Sequence, residues 1–291
     1  MSFDFLWQNL LWVIVGVVAT RAWTFLRTRL RHRRVRALLG DDALGPAGIA
    51  VTVPILDPLT RDPFDKSPER TVGLKTSRRR DTTKWPIYGR VMHLDDYAAA
   101  EEIFSLLREQ GVTRYQLVPD SDSLGRWDTN PCVLCLGSPF VNATFSELIN
   151  LAIGPGGPLI TADRATDTLD SYRVRLGGHE PMAFGVTDAL AIGVIARLAN
   201  PTRPQDSAVG VWGCRSESTL ATAHYLRSEF KSVVGRIEHG KPLVMLLAVR
   251  GAGLNVCKPM LAVTDRVLFR SPELLALYQR PDAPVVVSPA D

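Results

Sequence analysis

The longest apolar run of the chain lies near its start and covers residues 5–26, FLWQNLLWVIVGVVATRAWTFL. Its central part, residues 10–19, contains no charged residue. A helix needs about 20 mostly apolar residues to cross a bilayer, so this run predicts a single transmembrane helix. Trp7, Trp12 and Trp23 lie towards the two ends of the run. Tryptophan is enriched at membrane–water interfaces, which agrees with the prediction.

Charged residues are distributed unequally on the two sides of this run. Asp4 precedes it. The residues that follow it include six arginines: Arg27, Arg29, Arg31, Arg33, Arg34 and Arg36. A signal peptide carries its positive charge before the apolar run, and a helix lying on the membrane surface has a polar face, so both alternatives fit less well. The positive-inside rule predicts an anchor in the inner (plasma) membrane, with the N-terminus outside and the body in the cytoplasm.

The arginine-rich stretch RTRLRHRRVRALL continues the helical pattern beyond the apolar run. We therefore expect residues 1–39 to form a transmembrane anchor and a basic juxtamembrane helix. An arginine close to a membrane surface gains about 1 kcal/mol from anionic lipids. The predicted partners of this segment are the lipid bilayer and its anionic headgroups, and not nucleic acid.

Residues 40–87 show no sustained period of apolar positions. They are rich in proline, aspartate, arginine and threonine, as in TVPILDPLTRDPFDKSPERTVGLKTSRRRDTTKWP. Helix and strand breakers at this density are typical of connecting segments. We predict a proline-rich linker or an extended arm over residues 40–87.

Helix and strand patterns alternate from residue 88 onward. LDDYAAAEEIFSLLREQG predicts a helix, because acidic residues begin it, apolar residues recur at helical spacing and a glycine ends it. NATFSELINLAIG predicts a second helix, in which Thr144 and Glu147 form a capping box. SPELLALYQR predicts a short closing helix. The predicted strands are RYQLVP, PCVLCLGSP, YRVRL, ALAIGVIARLAN, SAVGVWG, PLVMLLAVRG and MLAVTDRVLF.

The order of these elements predicts an α/β domain over residues 88–291. Several strands are apolar without alternation, which is typical of strands covered on both faces. Helix patterns lie between some of them, so we expect a three-layer, Rossmann-like domain with a mainly parallel sheet. No helix pattern separates the last two strand segments, which predicts an antiparallel pair at one edge.

Composition and cysteine usage add little chemistry to this picture. The chain has 291 residues, of which 46% are hydrophobic and 22% charged, and a net charge of +4. Cys132 and Cys135 form a C-x-x-C pair, which would suit redox chemistry or half of a zinc site. Residues three apart in a strand point to opposite faces, so we expect reduced thiols and no metal site. The chain lacks G-x-G-x-x-G and Gly-Lys-Ser/Thr motifs, so no cofactor is predicted.

Two glycine-containing junctions follow a strand pattern and precede a helix pattern. In open parallel sheets, ligands bind outside the carboxyl ends of the strands, where such junctions lie. Backbone N–H groups at a helix start, hydroxyls and an arginine suit a phosphate or a sugar. The candidate ligand-binding residues are Gly137, Ser138 and Asn142 at the first junction and Gly213, Arg215, Ser216 and Thr219 at the second. The alternative is that both junctions are only turns and helix caps.

The second junction, GVWGCRSESTLATAHYL, resembles the glycine-rich strand–turn–helix of the LOG/SLOG group of Rossmann-like domains. In that group a run of glycines and a threonine, with a glutamate after them, handles nucleotides or their ribose phosphates. Several members are nucleotide sensors or processors in bacterial conflict systems, and some are fused to membrane segments. This chain has Cys214 and Arg215 in place of the second glycine, and its Glu217 precedes Thr219. The resemblance therefore implies binding rather than cleavage.

These features predict a membrane-anchored cytoplasmic sensor or effector that binds a nucleotide or a nucleotide-derived signal. The resemblance implies a role in bacterial antiphage defence. One alternative is a nucleoside- or nucleotide-processing enzyme such as an N-glycosidase, with Glu217 or Asp188 as its acid–base group. Another is a membrane scaffold without a ligand. The predicted ligand is a nucleotide-like small molecule, and the sequence leaves homo-oligomerisation open.

Overall fold

A computed structural model describes residues 3–55, 92, 94–139, 141–151, 153–154, 157–158, 160–164, 171–176, 182–185, 190–237, 242–250, 257–264 and 267–270. The helices are α1 (Phe3–Leu39), α2 (Leu94–Glu109), α3 (Asp120–Ser123), α4 (Ala143–Leu151), α5 (Ser216–Ser228) and α6 (Phe230–Gly235). The strands are β1 (Ile49–Val53), β2 (Tyr115–Pro119), β3 (Cys132–Leu136), β4 (Ile153–Gly154), β5 (Gly157–Pro158), β6 (Ile160–Arg164), β7 (Ser171–Leu176), β8 (Met182–Gly185), β9 (Leu190–Ala199), β10 (Ser207–Gly213), β11 (Leu243–Arg250), β12 (Cys257–Thr264) and β13 (Val267–Arg270). A single 3₁₀ turn covers Asp41–Leu44.

The first helix, α1, is one continuous helix of 37 residues. By length and composition it can cross a membrane. Its residues 11–30 are exposed, whereas Val35, Leu38 and Leu39 near its end are buried in the core of the α/β domain. The predicted continuation of the helix through the arginine-rich stretch is confirmed. The end of this helix is thus a structural part of the domain.

Long-range polar contacts fix the end of α1 to the sheet. The Nε of Arg197, on β9, donates to the carbonyl oxygen of Leu38 at 3.0 Å. The thiol of Cys132, at the start of β3, donates to the carbonyl oxygen of Leu39 at 3.1 Å. Immediately after the helix, the backbone N–H of Asp42 donates to Asp206 Oδ1 at 3.0 Å. The bonds from Arg197 and Cys132 satisfy two of the carbonyls that every helix leaves unpaired at its C-terminus.

The main sheet has eight strands in the order β13-β12-β11-β9-β10-β3-β1-β2. Of the five pairings from β2 to β11, three are parallel and the two made by β9 are antiparallel. The prediction of a mainly parallel sheet is therefore correct for these six strands. β12 and β13 extend the sheet with antiparallel pairs, so the antiparallel part is larger than predicted. The connection from β9 to β10 covers only residues 200–206, and a parallel crossover needs about a dozen residues or more.

Helices cover both faces of this sheet. The end of α1 packs on one face together with α2, α5 and α6, and α4 packs on the other. Within β3, Cys132 belongs to the first core and Cys135 to the second, which confirms that the two thiols point to opposite faces. Burial raises the pKa of both thiols, that of Cys135 to about 12.

The predicted linker over residues 40–87 is wrong in its first part. β1 (Ile49–Val53) lies inside the sheet, pairs with β2 and β3 and has every residue buried. The five-residue run IAVTV is bounded by Gly48 and Pro54. Glycine and proline are typical of connecting segments, so the sequence pattern did not predict this strand. The α/β domain therefore begins well before residue 88, and residues 56–91 lie outside the described part of the chain.

Two further strand predictions need correction. YRVRL forms β7, which pairs with β6 and β8 in a separate three-stranded sheet. MLAVTDRVLF contains parts of two strands, β12 and β13, which pair antiparallel with each other. The predicted closing helix SPELLALYQR lies outside the described residues.

Candidate functional site

Both predicted junctions lie at the carboxyl edge, by which we mean the edge where β1, β2, β3 and β10 end. β3 and β10 are parallel neighbours in the sheet. Immediately after β3, the backbone N–H of Gly137 donates to the carbonyl oxygen of Val211 on β10 at 3.2 Å. The fold thus brings the first junction, from Gly137 to Asn142, beside the second, from Gly213 to Thr219.

Asn142 is the helix cap of the first junction. Its side chain is fully buried, and its Oδ1 accepts a hydrogen bond from the N–H of Phe145 at 2.9 Å. Its Nδ2 donates to the carbonyl oxygen of Leu136 at 2.7 Å and lies 3.3 Å from the Thr52 hydroxyl. This amide therefore joins the ends of β1 and β3 and begins α4. The predicted capping box is wrong, because the cap is Asn142 rather than Thr144.

Asp120, directly after β2, is a buried acid at this edge that the sequence analysis did not single out. Its Oδ2 accepts from the N–H of Ala143 at 2.7 Å, and its Oδ1 accepts from the N–H of Ile55 at 3.3 Å. Burial raises the pKa of this carboxyl, and the backbone hydrogen bonds partly offset that rise. Thr144 donates its hydroxyl to the Asp120 carbonyl oxygen. The signal in the sequence was an aspartate placed immediately after an apolar strand pattern.

The turn at the first junction requires a glycine at position 137. Its φ of 88° is in the left-handed region, which favours glycine. A Cβ at this position would lie 3.0 Å from Pro54 Cγ. The turn after β3 therefore packs closely on the segment that follows β1.

Gly213 and Thr219 close the second junction from within. A Cβ on Gly213 would overlap Ser218, so only glycine lets the first turn of α5 sit this close to β10. The Thr219 hydroxyl accepts from the N–H of Gly213 at 3.0 Å and lies 3.4 Å from the carbonyl oxygen of Arg215. Both residues are buried. Their contacts hold the turn in place.

Cys214 continues the pairing of β10 with β9 beyond Gly213. Its N–H donates to the Ile192 carbonyl oxygen at 3.0 Å, and the N–H of Ile192 donates to its Sγ at 3.3 Å. Burial raises the pKa of this thiol, and the backbone N–H of Ile192 and the charge of Arg215 oppose that rise. A cysteine here therefore acts as a packed, protonated side chain, at a place where the LOG/SLOG resemblance leads one to expect a glycine.

Three predicted residues remain reachable from solvent. Ser138 and Arg215 are half-buried, and Glu217, in the first turn of α5, is exposed. Arg215 occupies the N-cap position of α5 with extended backbone (φ −132°, ψ 161°), and its side chain makes no capping hydrogen bond. Ser216 is the first residue of α5, but its side chain lies outside the described part, as does Asp188.

The chain matches no protein-family model, no curated protein and no solved structure. The features of the chain that bear on its function are therefore the geometry of the carboxyl edge and that of α1. At the carboxyl edge, Gly137, Asn142, Gly213 and Thr219 make the contacts that build the two junctions. Ser138, Arg215 and the N-terminus of α5 form the surface that a ligand would meet.

Proposed function

We propose that this chain is a membrane-anchored cytoplasmic protein whose α/β domain binds a nucleotide or a nucleotide-derived anion at its carboxyl edge. The anchor is α1, whose apolar residues 11–26 are exposed on all sides. The arginines that follow them place the domain on the cytoplasmic side under the positive-inside rule and favour contact with anionic headgroups.

The observation that carries the ligand proposal is the position of Arg215. It stands between the end of a buried parallel strand and the first turn of a helix of 13 residues. The backbone N–H groups and the positive end of the helix dipole at that point favour an anion. A half-buried guanidinium there adds donors in a fork that fits a phosphate. Ser138 leaves the neighbouring strand at the same edge and supplies a hydroxyl.

The contacts of the predicted residues assign them different roles in this proposal. Asn142, Gly213 and Thr219 position the two loops, while Ser138 and Arg215 contact the ligand. The same geometry suits a sensor or effector that reports ligand binding at the membrane. A role in bacterial antiphage defence rests on the LOG/SLOG resemblance alone.

A ligand-free scaffold is the second candidate function, and a specific observation favours it. Asn142 joins the ends of β1 and β3, and Asp120, after β2, bonds the segment after β1 and the start of α4, so both occupy the edge where ligands of open α/β sheets usually bind. In this reading both junctions serve stability alone, and α1 presents the domain to other proteins at the membrane.

A thermal-shift screen separates the two candidates. The full-length protein in nanodiscs is titrated with linear and cyclic nucleotides, because a fragment without α1 and β1 would lose part of the core. A ligand at 100 times its Kd adds about 2.7 kcal/mol of stability. Arg215→Ala should lower the affinity for the nucleotide found by about tenfold or more, the usual scale for a charged hydrogen bond.

Arg108→Ala is the matched control, because Arg108 is an exposed arginine on α2 that forms an ion pair with Glu101 at 3.9 Å. It should leave nucleotide affinity unchanged. A screen without any stabilising nucleotide favours the scaffold. A nucleotide that binds equally well to the Arg215→Ala variant removes this junction from the site.

The topology has its own test. Protease added to intact cells should leave the α/β domain uncut and should digest it after the membrane is permeabilised. Digestion from outside would contradict the cytoplasmic placement.

A further inference from the structure

A second candidate site lies at the amino edge of the sheet, where the parallel strands begin, beside the C-terminal part of α1. A cavity of about 420 Å³ opens between the last third of α1, the 3₁₀ turn and the connection from α2 to β2. The residues that matter for its chemistry are His32, Pro46, Gly111 and Arg114. None of them belongs to the junctions at the carboxyl edge.

The charged lining of this cavity is basic. Among its described lining residues, His32 and Arg114 are the charged or titratable ones, and there is no carboxylate. The Nη1 of Arg114 donates to the carbonyl oxygen of Pro46 at 3.3 Å, which holds the guanidinium at the wall. A guanidinium has five N–H donors, so this bond leaves donors for an anion.

The imidazole of His32 is half-buried and lies beside Gly111. A Cβ at Gly111 would lie 3.7 Å from His32 Nε2, which is an ordinary van der Waals distance, so the ring packs close to the backbone of this turn. Gly111 has a φ of 79°, and its N–H and that of Val112 bond to carbonyls of the last turn of α2. These bonds occupy carbonyls at the negative end of α2, which reduces the unfavourable effect of that helix end on an anion.

The proposed membrane anchor determines how far the cavity lies from the hydrocarbon core of the bilayer. His32 follows the end of the apolar run by six residues, which is about 9 Å along a helix. Each headgroup layer of a bilayer is roughly 5–8 Å thick, so under this proposal His32 lies at the aqueous surface of the headgroup layer on the domain's side of the membrane. Arg29 and Arg36 are exposed and lie on the same face of α1 as His32, three residues before it and four after it. They add positive charge beside the cavity.

We propose that this cavity binds a phosphate group, either on the headgroup of an anionic lipid or in solution, between the Arg114 guanidinium and the His32 imidazole. The lipid source rests on the proposed membrane anchor, whereas the phosphate chemistry does not. Occupation of the cavity would join α1, the 3₁₀ turn and the α2–β2 connection, and would fix the domain against the membrane surface.

The test uses full-length protein in phosphatidylcholine nanodiscs, titrated separately with short-chain phosphatidic acid and with inorganic phosphate. The readout is the apparent affinity obtained from the rise in melting temperature. Arg114→Gln keeps a donor for the Pro46 carbonyl but removes the charge, and it should weaken binding by about tenfold. His32→Gln serves as a second variant if Arg114→Gln does not fold, and it should also weaken binding severalfold.

Arg33→Gln is the matched control. Arg33 is exposed, follows His32 directly and does not line the cavity, so its loss should change the affinity by less than about twofold. Response to phosphatidic acid alone identifies a lipid headgroup, and response to inorganic phosphate alone or to both identifies the phosphate group itself. No response to either titrant, or an equal loss in Arg33→Gln, overturns the proposal.

Failure of the phosphate site can be told apart from failure of the proposed nucleotide site. Nucleotide binding is read at Arg215, and Arg114→Gln should leave it unchanged. If the protein does not enter nanodiscs, the anchor is wrong, and phosphate titration in detergent micelles still tests the cavity.

Discussion

The two edges of the parallel sheet are closed by polar side chains, but they are closed by different parts of the chain. At the amino edge, where the parallel strands begin, Arg197, Cys132 and Asp206 hold the end of α1 and the turn after it. Their partners are 93–164 residues away in the sequence. At the carboxyl edge, Asn142 bonds the N–H of Phe145 three residues on and Thr219 bonds that of Gly213 six residues before it, while Asn142 also reaches Thr52, 90 residues away.

This difference shows how the two edges can serve different functions. At the amino edge, hydrogen bonds and core packing join the end of α1 to the sheet, so α1 is a part of the α/β domain and not a linker before it. The carboxyl edge is about 17 Å away, the length of a five-residue strand. Its loops combine local caps with contacts between strand ends, and none of the contacts described there involves α1. The proposed ligand site at the carboxyl edge therefore lies at the end of the sheet that faces away from the end of α1.

The largest expected effect tests whether the end of α1 belongs to the domain. Leu38 is 1% exposed and packs in the larger core, so Leu38→Ala should lower the free energy of unfolding by about 2–5 kcal/mol. Leu30→Ala is the control, because Leu30 lies on the same helix and is 44% exposed. Denaturant unfolding in detergent measures both, and equal small effects would mean that α1 is only a tether.

The next effect tests whether Asn142 is structural. Asn142→Ala removes a helix cap and leaves the buried carbonyl of Leu136 without its amide partner, so we expect a loss of about 2–3 kcal/mol. Ser138→Ala, four residues earlier and half-buried, should cost less than about 0.5 kcal/mol. Thermal unfolding without ligand measures both. A stable Asn142→Ala variant would return this residue to the ligand site.

The fold was predictable where the pattern is local. α2 and the strands β2, β3 and β10 follow from helical spacing or apolar runs between clear breakers. β1 did not, because a run of five residues, four of them apolar, between Gly48 and Pro54 looks like part of the proline-rich segment. Its place is decided by pairing with β2 and β3, which no local pattern expresses. The short connection between β9 and β10 did carry a signal for antiparallel pairing.

The candidate site was predictable in position but not in contacts. Glycines and polar residues after strand patterns marked Gly137 and Gly213 as junctions at one edge. The sequence did not show that the side chains of Asn142 and Thr219 make their hydrogen bonds to neighbouring backbone groups. Asp120 and Arg197 were visible as charged residues at or within apolar strands, but their roles depend on partners that only the fold brings close.

The smallest expected effect concerns the charge of Asp206 at the amino edge. Asp206 is fully buried, and its Oδ2 has no hydrogen-bond partner within the described residues. Burial raises the pKa of this carboxyl above its ordinary value of 3.8 and the charge of Asp42 adds to the rise, while the N–H of Asp42, the Cys132 thiol and the charge of Arg203 partly oppose it. A raised pKa means that the folded protein holds the proton more tightly than the unfolded chain. The stability that protonated Asp206 contributes is complete below about pH 3.8 and is lost as the pH rises through the folded pKa.

Asp206→Asn removes this titration and keeps an oxygen for the N–H of Asp42. At pH 7 the variant should therefore be at least as stable as the wild type, by up to about 1 kcal/mol. That advantage should shrink as the pH falls towards 4, because the wild-type carboxyl becomes neutral. Unfolding of both proteins between pH 4 and 7 measures the difference, and Asp128→Asn, at an exposed position, should show none. A difference that grows as the pH falls would mean that Asp206 is held as a stabilised carboxylate, so that the amino edge is fixed by charge as well as by burial.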